Sequence, residues 1–194
     1  MDLVFPSIYH LQSQSYLNAN QSAIDLCMKG DRKAQYEVYR QYAKAMFNIC
    51  VRIIGREDEA EDVLQEAFLK AFSKIDTYKG TSAFGAWLKK IVVNEAINYV
   101  KTKKMAFMSI EDSGFDVQEE SKLDEMQLVM QIEQIRKAIQ LLPDGFRIVF
   151  SLYLLEGYDH NEISDILGIS VSTSKSQYNR AKVKLKDILK ERKF

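Results

Sequence analysis

The stretch Tyr158-Asp-His-Asn-Glu-Ile-Ser-Asp-Ile-Leu-Gly168-Ile-Ser-Val-Ser-Thr-Ser-Lys175-Ser-Gln-Tyr-Asn-Arg180-Ala-Lys-Val-Lys184 reads as two short helices around a turn. Ile163, Ile166 and Leu167 share one side of the first helix, Gly168 marks the turn, and a second helix starts near Val171. That is a helix-turn-helix, and its second helix carries the charge. From Ser170 to Phe194 there are eight basic residues (Lys175, Arg180, Lys182, Lys184, Lys186, Lys190, Arg192, Lys193) against two acidic ones (Asp187, Glu191). The chain as a whole is balanced, with 27 basic and 27 acidic residues. A neutral protein that gathers positive charge on one helical hairpin points that hairpin at phosphate. The alternative is a solvated amphipathic C-terminal helix.

Upstream of this hairpin the pattern stays helical. Residues 1–22 are rich in Gln, Asn and Ser and predict an N-terminal extension. From Ala23 the helical period takes over, and Asp31 is the predicted N-cap of a helix ending near Ile54, broken by Gly55. Its expected inward stripe is Tyr36, Val38, Tyr39, Tyr42, Ala45, Met46, Ile49 and Cys50. Next, Ala60, Val63, Leu64, Ala67, Phe68, Ala71, Phe72 and Ile75 trace one apolar face for four turns. The opposite face opens with Glu57, Asp58, Glu59, Glu61, Asp62 and Glu66, and carboxylates suit a helix N-terminus. A loop over Asp76–Ser82 leads into a helix predicted over Ala83–Lys101.

Beyond Lys104 the composition shifts. Residues 109–125 hold seven carboxylates (Glu111, Asp112, Asp116, Glu119, Glu120, Asp124, Glu125) against Lys122 alone, which predicts a flexible acidic linker over 105–125. Fifteen to nineteen extended residues reach roughly 50–65 Å, enough to let two domains bind DNA sites more than one helical turn apart. Periodicity resumes at Met126, Pro143-Asp-Gly145 makes a turn, and a short helix over Phe146–Leu155 leads into the helix-turn-helix. No stretch alternates with a period of two, so the expected fold class is all-α, in two helical domains.

The totals exclude several classes. Only Cys27 and Cys50 are present, each in an apolar helical pattern, so neither a disulfide framework nor a zinc site is expected. His10 and His160 are too isolated to argue for a metal, and no Gly-rich phosphate loop or Ser/His/Asp-like set suggests an enzyme or a cofactor. There is no apolar run of membrane-spanning length and no signal-peptide order at the N-terminus, so a cytoplasmic protein is expected.

Four motifs, in order, resemble one family. They are Asp62-Val-Leu-Gln-Glu-Ala-Phe-Leu-Lys-Ala-Phe72; Phe84-Gly-Ala-Trp-Leu88 with Asn94; Leu142-Pro-Asp-Gly-Phe-Arg147; and Glu162-Ile…Leu-Gly168-Ile-Ser with Lys175-Ser-Gln. Together they resemble the extracytoplasmic-function sigma factors of bacterial RNA polymerase, a branch of the sigma-70 family. The wording around His160 and around Thr173-Ser-Lys-Ser-Gln177 is similar to members from Bacteroidetes-type bacteria.

The resemblance implies that residues 23–104 are sigma region 2, binding core polymerase and the −10 element. It implies that 126–194 are region 4, binding the −35 element. Implied partners are core RNA polymerase, promoter DNA and an anti-sigma factor, with neither membrane insertion nor a small-molecule substrate. The acidic linker resembles the segment that threads polymerase toward its active site, and a solvated linker without contacts fits its composition equally well.

Site by site, the resemblance puts core polymerase on Asp62, Gln65, Glu66 and Leu69, which lie off the apolar stripe. An acidic face holding an apolar Leu69 favours a protein partner over DNA, against the plainer reading of a solvated face. For the −10 element, unpaired bases need stacking, polar base-edge contacts and a basic track. Tyr78, Lys79, Lys89, Lys90, Asn94 and Asn98 supply those groups, and in the family the loop and the matching Asn form a pocket for a flipped base. Phe84 and Trp87 suggest stacking too, though at helical spacing such residues are more often core. For the −35 element, Lys175, Ser176, Asn179 and Arg180 lie opposite a packing stripe of Ser174, Tyr178, Ala181, Leu185 and Ile188, with Lys182 and Lys184 as phosphate contacts.

Two departures stand out. Ser172 occupies a position where many relatives have Gly, and Ser174 one where a buried Val is common. The Ser174 hydroxyl therefore needs a partner, expected to be a carbonyl one turn back. A competing reading, outside the resemblance, is a stand-alone helix-turn-helix regulator whose N-terminal bundle senses a ligand or dimerises.

Overall fold

The computed structural model describes residues 21–105 and 134–191; the N-terminal extension up to residue 20 and the acidic linker from residue 106 lie outside them. All regular structure among the described residues is helical. The chain divides into two compact units, Met1–Thr102 and Lys103–Phe194.

The first unit contains α1 (Gln21–Met28), α2 (Arg32–Ile54), α3 (Glu57–Ser73), a 3-10 turn (Ile75–Thr77) and α4 (Phe84–Met105). Asp31 caps α2, its carboxylate accepting from the Ala34 N–H at 2.9 Å. At the other end Gly55 takes the left-handed conformation, φ 88°, and its N–H donates to the Val51 carbonyl. These two residues fix the length of α2 from the sequence alone. α2 packs against both α1 and α3. Val38, Tyr42, Met46, Ile49, Cys50 and Ile53 of α2 meet the apolar stripe expected on α3, of which Ala60, Val63, Leu64, Ala67, Phe68 and Ala71 are buried.

Two rings tie in the flanks of this core. Tyr39 meets Phe68 edge-on at 4.8 Å, and the fully buried Tyr42 meets Phe84 of α4 at 5.5 Å. Tyr36, expected inward, is instead 61% exposed. At 100° per residue it lies about 200° from both Ala34 and Val38, which carry the buried stripe, so the period turns it outward. α4 begins at Phe84 and runs to Met105, four residues past its predicted end.

The second unit contains α5 (described over 134–140), α6 (Asp144–Phe150), a π turn (Ser151–Leu155), α7 (His160–Leu167) and α8 (Val171–Glu191). Its core joins Ala138, Ile139, Leu142, Phe150, Ala181 and Ile188, flanked by partly buried Phe146, Tyr178 and Leu185. The predicted Phe146–Leu155 helix starts two residues earlier, and its last turn is wound wider, closing with a Glu156 N–H bond to the Ser151 carbonyl at 3.0 Å.

Arg147 is buried here, and that gives the Leu142-Pro-Asp-Gly-Phe-Arg147 motif a physical role. Its guanidinium pairs with Asp144 at 2.8 Å and donates to the Leu142 carbonyl at 3.3 Å. One cation thus satisfies a backbone carbonyl just past α5 and holds the first turn of α6.

α7 opens with a capping box. Asp159 Oδ1 accepts from the N–H groups of Asn161 and Glu162 at 2.7 and 2.9 Å, while Glu162 accepts from the Asp159 N–H at 2.9 Å. Replacing Asp159 by Ala is expected to destabilise α7 by about 1 kcal/mol. The measurement is hydrogen exchange of the α7 amides, because a two-unit chain has no single well-defined unfolding midpoint. Unchanged exchange in α7 would show the cap to be dispensable.

Candidate nucleic-acid and polymerase interfaces

Each predicted surface can be placed on its helix. On α3 the side chains of Asp62, Gln65, Glu66 and Leu69 are all exposed, Leu69 to 71%. They line one side of the helix because their spacing of three and four keeps them within a narrow arc, opposite the buried stripe. Leu69 is the most exposed large apolar side chain among the described residues, and it stands inside an acidic strip. Behind it, Lys70 forms an ion pair with Glu95 of α4, joining the two helices that bear the acidic strip and the candidate −10 face.

On α4, Lys90, Asn94 and Asn98 are exposed one turn apart, and exposed Thr102 continues the line, its hydroxyl donating to the Asn98 carbonyl at 3.0 Å. Thr102 was not among the predicted site residues, although its i+4 step from Asn98 was available in the sequence. Lys89 is partly buried, off the centre of this face.

The loop before α4 corrects one expectation. Tyr78, assigned to DNA, is only 8% exposed. Its ring packs edge-on against Phe84 at 5.3 Å and lies 5.6 Å from Trp87, and its hydroxyl donates to the Ser82 carbonyl at 2.8 Å. Tyr78 therefore holds the loop shut from inside rather than offering a face for stacking. Lys79 and Gly80 beside it are exposed, so the loop keeps a cation at its tip. Phe84 is buried and Trp87 half-buried, so both rings serve the packing of this corner.

In the second unit the hairpin has the predicted geometry. Gly168 ends α7 in the left-handed conformation, φ 70°, with its N–H on the Ser164 carbonyl at 2.8 Å. Ser170 then starts α8, its hydroxyl accepting from the Thr173 N–H at 3.0 Å. Ser172 sits within the first turn of α8, its hydroxyl 2.8 Å from that of Ser170, so no glycine is needed there.

Lys175, Ser176, Asn179, Arg180, Lys182 and Lys184 are all exposed, while Ser174, Ala181 and Ile188 are buried. The Lys182 ammonium rests 4.9 Å over the Tyr178 ring, which tethers it at the edge of the face. The Ser174 hydroxyl finds a partner other than the expected carbonyl: it lies 2.9 Å from Nδ1 of His160, the first residue of α7. Burial, and then the Lys175 charge, hold the His160 imidazole below its ordinary pKa, with Asp159 opposing.

Among the described residues, no group of three His, Cys, Asp or Glu side chains could hold a metal, and no helix is long and apolar enough to cross a membrane. Cys27 and Cys50 are buried free thiols, and burial pushes Cys50 up to about 12.

Comparison with known proteins bears on these surfaces. Residues 38–105 match the family model "Sigma-70 region 2", and residues 132–185 match "Sigma-70, region 4". The ECF RNA polymerase sigma-E factor of Escherichia coli K12 is 31% identical over 173 residues, spanning 84% of this chain and 90% of that protein. The ECF RNA polymerase sigma factor SigW of Bacillus subtilis 168 is 30% identical over 176 residues, spanning 84% and 92%. Among solved structures, CnrH in complex with the cytosolic domain of CnrY is similar in fold, with a TM-score of 0.51 and 20% identity over 90% of this chain and 99% of that one. The sigma factor RpoE of Bartonella quintana, solved with the anti-sigma factor NepR, gives 0.52 and 23% over 80% and 96%.

Proposed function

This chain belongs to the extracytoplasmic-function family of RNA polymerase sigma factors, and from that premise we propose which of its surfaces perform each step of initiation. A sigma factor binds core RNA polymerase and directs it to promoters, a transcription-initiation role carried out without an enzymatic activity of its own.

The exposed acidic strip Asp62, Gln65, Glu66 and Leu69 is the core-polymerase surface. Exposed carboxylates repel DNA, and an apolar side chain among them gives a protein partner an anchor. The Lys90–Asn94–Asn98 line, with Lys79 at the loop tip, handles the −10 element, cations on the backbone and amides on base edges. The exposed face of α8 reads the −35 element, where Arg180 and Asn179 suit bidentate contact to purines in the major groove. Lys182 and Lys184 bind phosphate. The acidic stretch that follows Met105 connects the region 2 match to the region 4 match along the sequence, and a cytoplasmic location and regulation by an anti-sigma factor accompany the role.

The observation that supports this reading is that the acidic strip of α3, the Lys90–Asn94–Asn98 line and the outer face of α8 are solvent-exposed, in two units that match regions 2 and 4 in that order. In vitro transcription with core polymerase, followed by mapping of start sites, tests it. Promoter-dependent start sites are expected, and transcription identical to that of core enzyme alone would sink it.

Asn94→Ala is expected to reduce open-complex formation about fivefold, or ~1 kcal/mol, with core-polymerase binding unchanged, as for one lost polar contact to a base. Unaltered permanganate reactivity of the melted strand would move base recognition to Lys79 and its loop.

A further inference from the structure

Ser174 is fully buried on the inner stripe of α8, and a buried hydroxyl is costly unless it has a partner. The partner comes from the other helix of the hairpin, as His160 Nδ1 at 2.9 Å. The imidazole is itself held in place. It stacks on Tyr153 at 4.4 Å with an interplanar angle of 14°, and Tyr178 of α8 meets it at 5.9 Å. Tyr153 in turn lies 4.6 Å from Tyr178. The start of α7, the π turn and α8 are thus joined by ring contacts, and one directional bond closes the set.

Ring contacts tolerate sliding and rotation, whereas a 2.9 Å hydrogen bond to a buried atom fixes an angle. Ser174 directly precedes Lys175 and Ser176, and it lies one turn before Tyr178 and Asn179. Whatever fixes Ser174 therefore fixes how the first two turns of α8 present their outer side chains.

We propose that His160 is a positioning residue for sequence readout, acting through its hydrogen bond to Ser174 to set the rotation at which α8 offers Lys175, Ser176 and Asn179 to base edges. The proposal rests on the assignment of α8 to the −35 element. A small rotation displaces side-chain tips far more than the helix axis, so losing the bond blurs base discrimination while phosphate contacts, made by long lysines, persist.

The test uses the full chain in holoenzyme. A randomised −35 library first defines the preferred element, and binding to that element and its single-base variants is then measured at two salt concentrations. His160→Ala and Ser174→Ala are each expected to shrink the ratio between preferred and variant sites about fivefold. The double variant should lose no more than either single one, because both remove the same bond. His160→Asn, which keeps a polar group facing Ser174, should retain most of the preference, and the salt dependence should be unchanged throughout.

Intact preference in either single variant, or additive losses in the double, would overturn the proposal. If the alanine variants do not fold, a folded His160→Asn variant decides alone, and its failure to keep the preference overturns the proposal. A wild-type holoenzyme without any −35 preference would instead refute the assignment of α8 itself.

Discussion

Charge reversal of both Asp62 and Glu66 to Lys should lower affinity for core RNA polymerase roughly a hundredfold, about 3 kcal/mol. Both carboxylates are exposed on α3, opposite its buried stripe, so the substitutions leave the fold intact. What they change is the sign of the face proposed to meet polymerase, and like charges across an interface cost several kcal/mol. Leu69→Ala separates the apolar part of the contact, with a smaller loss of about tenfold if its side chain fills a pocket on the partner. The measurement is competition of each variant with wild-type protein for core enzyme, with circular dichroism confirming helicity. Binding of the double reversal at wild-type strength would remove this face from the interface and leave the strip as a solvated helix surface.

The parts of this molecule legible in its sequence were those encoded within one helix. Alternating steps of three and one residues placed the α3 stripe correctly because each apolar position from Ala60 to Ala71 obeys one helical period. Asp31, Gly55 and Gly168 marked helix ends because each acts on backbone groups within four residues of itself. What escaped depends on contacts between segments. Tyr78 suits base stacking by its residue type and its place in the loop, and only packing against Phe84 and Trp87 buries it. Tyr36 faces outward because its angle sets it off the Ala34–Val38 stripe, which the period alone decides. The need of Ser174 for a partner was readable, but His160 stands fourteen residues away, beyond any local rule. The widening at Ser151–Leu155 has no sequence signal, since five residues cannot distinguish an α from a π period.

On α8 the exposed cations look alike in the sequence and should separate in function. Arg180→Ala should cost about 2 kcal/mol at the preferred −35 element and relax the preference at one base pair, as expected when a bidentate contact to guanine is lost. Lys184→Ala should instead weaken binding to every sequence about equally and make the salt dependence shallower by roughly one counterion. Both side chains are exposed, so neither substitution opens a cavity or strands a buried charge. Their difference lies in position. Arg180 is on the turn after Lys175 and Ser176, beside Asn179, where the N-terminal half of a recognition helix meets base edges. Lys184 is one turn further on, where a helix lying in the groove passes out toward the backbone, and its flexible ammonium suits a phosphate oxygen. Holoenzyme binding to a single-base panel at two salt concentrations separates the two, because a base edge carries sequence information and a phosphate does not. If Arg180→Ala gives the same uniform, salt-linked loss as Lys184→Ala, then Arg180 is a phosphate contact. Discrimination would then fall to Lys175, Ser176 and Asn179, the residues nearest Ser174 and its bond to His160.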